Sequence, residues 1–189
     1  MSPLIIPRRT VLVSGTLSAA AFGLLAGQRG LAFAGSPTES DAAILNVALG
    51  LEHEAIAACQ LGAESGLLKG ALLDTAVLFQ SHHKTHREAQ LAALKKLGAR
   101  PVADKPMDEY KKSSKLNVAA LKTAEDVLKL AQRLELGAVN AYIGVMPAFA
   151  DRSLSTVAAR LLADETMHYT VLTQALAQPL PKPGLFFGA

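Results

Sequence analysis

The sequence predicts an all-α protein: an antiparallel four-helix bundle with one long crossover between its second and third helices. Three observations carry that expectation. Alanine and leucine dominate while β-branched residues are sparse, a composition that favours helix. Four apolar-periodic segments of about 25 residues follow one another, and none alternates as a strand would. Their connections run short, long, short, the connectivity of two helical hairpins joined by one crossover. Of the 189 residues, 50% are hydrophobic and 19% charged, which suits one domain with a real core and excludes a disordered chain. The single cysteine excludes an internal disulfide framework and any Cys-based zinc or iron–sulfur site.

Residues 1–34 read as an export signal and are set apart from the fold. Arg8-Arg9 precede a weakly apolar stretch, Ala32-Phe33-Ala34 offers a small-x-small cleavage site, and the paired arginines resemble a twin-arginine translocation signal. The stretch is short for a membrane span of ~20 residues, so cleavage, a periplasmic destination and no lasting membrane insertion are expected. The net charge of +3 comes from Arg8, Arg9 and Arg29; the rest of the chain holds 16 basic and 16 acidic residues. A neutral domain without a basic stripe gives no reason to expect nucleic acid as a partner.

The mature chain, 35–189, divides as follows. The first helix is expected over 40–66, with Ser40 or Thr38 as its cap and Glu39 and Asp41 at the positive end of its dipole. Gly66 and Gly70 bracket a short turn. The second helix runs to Leu97, with Lys95 and Lys96 in its last turn and Gly98 closing it. Residues 98–122 form the crossover, with Pro101, Pro106 and lysines that read as a solvated loop. Thr123 and Asp126 form a capping box that opens the third helix, which continues to about Ala150. Asp151 or Ser153 starts the fourth, which ends near Ala177. A Pro-rich tail, 178–189, carries Phe186-Phe187, exposed unless they dock on the bundle or on a second subunit of a homo-oligomer.

Polar residues interrupt the apolar face of every helix. Glu52 shares a face with Leu45, Leu49 and Ile56; His83 and His86 with Phe79 and Leu94; Glu135 with Leu128 and Tyr142; Glu165 and His168 with Leu161 and Leu172. An ionised carboxylate on such a face is costly unless paired or metal-bound. Residues of two antiparallel helices are level when they are equidistant from the turn. The midpoint between Glu52 and the His83/His86 pair falls at about residue 68, and that between Glu135 and the Glu165/His168 pair near 151, both inside expected turns. All six groups therefore lie at one height. Glu165 and His168, at i and i+3, can grip one ion. Without metal, the carboxylates would pair with a histidine or with Arg87. His82, spaced i, i+4 from His86, competes with His83 for the core. His53 reads as a surface residue, Cys59 as a small buried hydrophobe, and Tyr142 as core or as a neighbour of the ligands.

The phrases ILNVALGLEHEAIAACQLGA, HHKTHREAQLAALKKLGARP and LLADETMHYTVLTQAL resemble the ferritin-like superfamily, in particular the small exported ferritin-like domain proteins of bacteria. The resemblance covers roughly 40–177. It implies a ligand set of one Glu, a Glu-x-x-His, one Glu and a second Glu-x-x-His, which binds two irons or manganeses that react with oxygen or peroxide. Carried over, the ligands are Glu52, His86, Glu135, Glu165 and His168, with His83 where the family places the first bridging Glu. A neutral imidazole has one free lone pair and cannot bridge as a carboxylate does. Glu54 and Glu88, the nearest spare carboxylates, point elsewhere. The substitution favours a single ion, an asymmetric pair, or an imidazole-preferring metal such as zinc or copper. Two functions follow as expectations: a metal-dependent oxidoreductase acting with a small-molecule oxidant, or a non-enzymatic bundle with a degenerate dinuclear site that binds metal or a partner.

Overall fold

The computed structural model describes residues 36–188, so the export signal expected over 1–34 lies outside the described residues. Five α-helices form: α1 Pro37–Glu64, α2 Ala71–Lys96, α3 Met107–Lys111, α4 Ala124–Val145 and α5 Arg152–Ala175. No strand occurs among the described residues. The four long helices are the expected bundle, and α3 is a single turn within the crossover.

The local chemistry explains each boundary, and it moves some of them. Ser36, not Ser40 or Thr38, caps α1: its hydroxyl accepts from the Glu39 N–H, the Glu39 carboxylate accepts from the Ser36 N–H at 2.6 Å, and Pro37 supplies a preset φ at the first helical position. At the end of α2, Ala99 N–H donates to Leu94 C=O and Gly98 N–H to Lys95 C=O, with Gly98 at φ +67°. This paired closure needs a left-handed residue, which glycine adopts without a Cβ clash. Thr123 and Asp126 make the expected capping box of α4. That helix stops at Val145 rather than near Ala150, because Pro147 cannot donate and the chain tightens into a 3-10 turn over Met146–Ala148. Asp151 then caps α5 through the Ser153 N–H. Asp41 is buried and does not serve the α1 dipole; it accepts from the Ala150 and Asp151 N–H groups at 2.8 and 2.9 Å, tying α1 to the α4–α5 turn.

Helices α1 and α2 pack as one hairpin, α4 and α5 as the other, with α1 beside α4 and α2 beside α5. By length and composition α1 could cross a membrane, yet it buries Asp41, Glu52 and His53 within the protein. The end of the bundle near the α4–α5 turn is closely packed around Leu45, Leu49, Leu94, Tyr142 and Leu161.

The crossover is less of a solvated loop than its composition suggests. Asn46 clamps its start, donating to Arg100 C=O at 3.1 Å and accepting from the Val102 N–H at 2.6 Å. Tyr110 and Leu116 are buried against Ala57, Leu61 and Leu130. Lys115 pairs with Glu54. The tail docks on its own bundle: Phe187 meets Tyr169 edge-on at 5.4 Å, and Gly188 N–H donates to the Asn140 side chain at 2.8 Å.

Candidate metal centre

Helical periodicity turns Glu52 of α1, His83 and His86 of α2, Glu135 of α4 and Glu165 and His168 of α5 to the bundle axis, all at most 4% exposed. Their donor atoms form two overlapping groups. Glu52, His83, His86 and Glu165 make one; His83, Glu135, Glu165 and His168 make the other. Within each, one atom per residue lies within 4.8 Å of every other. Glu165 and His83 belong to both. Glu165 turns Oε1 to His86 Nδ1 at 3.1 Å and Oε2 to His168 Nδ1 at 3.2 Å. His83 turns Nδ1 to Glu52 at 3.0 Å and Nε2 to Glu135 at 3.3 Å.

The competition on α2 resolves physically. His83 is 2% exposed, while His82 is half-buried at the rim. His82 is not idle: its Nδ1 lies 2.9 Å from His168 Nε2, the ring nitrogen that faces away from the cluster. His86 is held in the same way, its Nε2 lying 3.1 Å from Asp164 Oδ2. Each of these histidines thus keeps Nδ1 toward the cluster while an outer acceptor fixes the other nitrogen, as metal-ligating imidazoles require. Phe79 stacks on the His168 ring at 4.0 Å between centroids.

Tyr142 donates to Glu52 Oε1 at 2.6 Å and accepts from Gln90 Nε2 at 2.7 Å, so it is a neighbour of the cluster as well as core. Sequence reasoning missed Gln90 and Asp164. Their spacing from His86, at i+4 on its own helix and on the helix opposite, becomes meaningful only once His86 is a site residue. Arg87 pairs with Glu88 and takes no part. His53 is buried, not exposed: Asp104 of the crossover lies 3.5 Å away, and neither ring nitrogen has a hydrogen bond. Cys59 is half-buried, and burial pushes its thiol up to about 11.

The electrostatics follow from burial opposed by pairing. Burial presses His86 toward its neutral form, but hydrogen bonds to Glu165 and Glu52 outweigh it and raise the group to about 10. His83 and His168 rise for the same reason, through Glu135 and Glu52 and through Glu135 and Glu165 respectively. Burial would raise Glu52 and Glu135, yet their histidine hydrogen bonds hold both below the ordinary carboxylate range. His82 moves down, through burial and the neighbouring His168 charge. Burial and the Glu52 charge push the Tyr142 hydroxyl well up.

The residues fit a metal ion. Glu135 Oε2 is buried, with only a long 3.5 Å approach from His168 Nδ1, so one carboxylate oxygen beside the cluster still has coordinating lone pairs to offer. The set is all oxygen and imidazole, which suits iron, manganese or zinc rather than a thiolate-selecting metal.

Residues 40–178 match the ferritin-like domain family. Among solved structures, the fold resembles the crystal structure of a conserved hypothetical protein from Mycobacterium tuberculosis. That chain is 20% identical, with a TM-score of 0.63, over 73% of this chain and 98% of the other. No curated protein matches. With most of its length matched, the chain belongs to the ferritin-like domain family.

Proposed function

We propose that this ferritin-like domain protein is exported by the twin-arginine route and binds iron, or a related metal, in its bundle core. A metal held there would supply chemistry with oxygen or peroxide. The observation that carries this reading is the pair of four-donor groups sharing His83 and Glu165 at mid-height of a bundle whose family match spans 40–178. Glu52 and His86 would hold the metal on one side, Glu135 and His168 on the other, with Glu165 reaching both. A bound redox metal would supply one-electron exchange with the oxidant.

The chain's own residues do the rest. Asp164 and His82 hold the two outer imidazoles in register. Tyr142 fixes the Glu52 carboxylate and keeps its own proton at neutral pH. The close apolar packing between the layer and the α4–α5 turn limits access of water from that end. Arg8-Arg9 support export of an already folded protein, a route suited to a domain loaded before it leaves the cytoplasm. Elemental analysis of protein purified from its native export compartment tests the reading: iron is expected, and metal-free protein would count against it.

A second reading is a non-enzymatic bundle with a degenerate site. It is favoured by one observation: His83, where the family has Glu, hydrogen-bonds Glu52 and Glu135 at once and closes two would-be ligands on itself.

A further inference from the structure

The two halves of the bundle are packed differently. Toward the α4–α5 turn, a gap of only about 10 Å³ lies among Leu45, Tyr142, Phe149 and Leu161. On the other side of the polar layer lies a cavity of about 500 Å³, between facing sides of α1 and α4, walled by α2 and by Leu116, Val118 and Leu121 of the crossover. Native interiors are close-packed, with few voids larger than a water, and an apolar void gives water too few hydrogen-bond partners to hold it. This cavity is apolar along its length, with small residues such as Ala58, Ala131 and Ala138 in its walls. Its acidic and basic groups lie at two levels. Glu52, His83, Glu135 and Glu165 are buried at the inner one. Glu54, Lys115 and Arg133 are half-buried or exposed at the outer one.

The geometry points to a binding site for an apolar small organic molecule, a carbon chain or ring with at most one polar group, whose inner end touches the metal-binding cluster. The volume falls in the range of small-molecule sites, and the lining offers an apolar body with few convergent polar groups, as such sites do. Any occupant that fills the cavity meets Glu135 and Glu165, so the substrate class and the metal centre share one space. Cys59 and Phe79 wall the apolar part, and Lys115 is engaged with Glu54 at the outer level. The inference extends the metal-centre reading, on which it rests for the identity of what the occupant touches.

The test uses the neutral fluorophore N-phenyl-1-naphthylamine with the full chain, as wild type and as Ala131→Phe and Ala58→Leu, two variants that fill the cavity from opposite helices. Circular dichroism checks folding, and metal per chain is measured on the same samples. Saturable emission at one probe per chain, lost in both folded variants while metal content is kept, is the expected result. Absence of saturable binding, or binding that survives both substitutions, overturns the inference; metal retained in that case leaves the metal reading standing. In cobalt(II)-loaded protein the probe should shift the visible absorption bands. Saturable probe binding with unchanged cobalt bands overturns the contact between occupant and centre. Probe binding by protein that takes up no metal counts against the metal reading instead.

Discussion

The Tyr142 hydroxyl donates to Glu52 Oε1 at 2.6 Å while accepting from the Gln90 side chain at 2.7 Å, with all three residues buried. The contact crosses from α4 to α1 and α2 and fixes a carboxylate that lies next to two imidazoles. Replacing Tyr142 by Phe keeps the ring and removes the donor. Because Gln90 and Glu52 then lose a buried partner, the loss should be about 1–3 kcal/mol in urea unfolding. Affinity for ferrous ion should fall by about tenfold or more. An unchanged urea midpoint would mean that the Tyr142–Glu52 bond contributes nothing to the fold.

His82 and Asp164 act on the centre through the outer nitrogens of His168 and His86. His82→Ala and Asp164→Ala should each weaken metal binding about 10–100-fold while changing stability little, since both side chains are half-exposed. Calorimetric titration with zinc or anaerobic ferrous ion reads this directly. Equal affinities in wild type and both variants would remove these residues from the account.

Ala177 closes α5 in the left-handed region, φ +52°, with its N–H bonded to Gln174 C=O and that of Gln178 to Thr173 C=O. A Cβ is unfavourable there by roughly 1 kcal/mol. Ala177→Gly should therefore stabilise the protein by about 0.5–1 kcal/mol, in contrast to glycine substitution inside a helix. A higher urea midpoint at unchanged slope is the expected result.

Leu94 is fully buried in the closely packed end of the bundle. Leu94→Ala should cost about 2–5 kcal/mol through lost burial and a new void. A cost below 1 kcal/mol would show that this end is not packed as described.

What the sequence made legible was what local spacing controls. The four long helices, the Thr123–Asp126 box, the glycine closure of α2 and the shared height of Glu52, His83, His86, Glu135, Glu165 and His168 all follow from periodicity and turn position. What it hid depends on parts far apart in the chain. His53 is buried because residues from Asp104 to Leu116 fold back over α1, which the lysine-rich crossover gave no reason to expect. The 500 Å³ cavity arises from small residues on α1 and α4 that read in sequence as ordinary helix formers. Pro147 was a local signal for the end of α4, and the apolar run around it masked the stop.

On the proposed reading the two donor groups hold metal, and His83, where a second bridging carboxylate would stand, limits the count. Two divalent ions ~3.5–4 Å apart need anionic bridges to offset their repulsion, and Glu165 alone reaches both sides here as a carboxylate. The direct measurement is iron per chain after anaerobic loading and desalting, for the wild type and for His83→Glu. Fewer than two tightly held irons are expected in the wild type, with a rise toward two in His83→Glu. Two irons retained by the wild type with no change in the variant, or no iron retained by either protein, would contradict that reading.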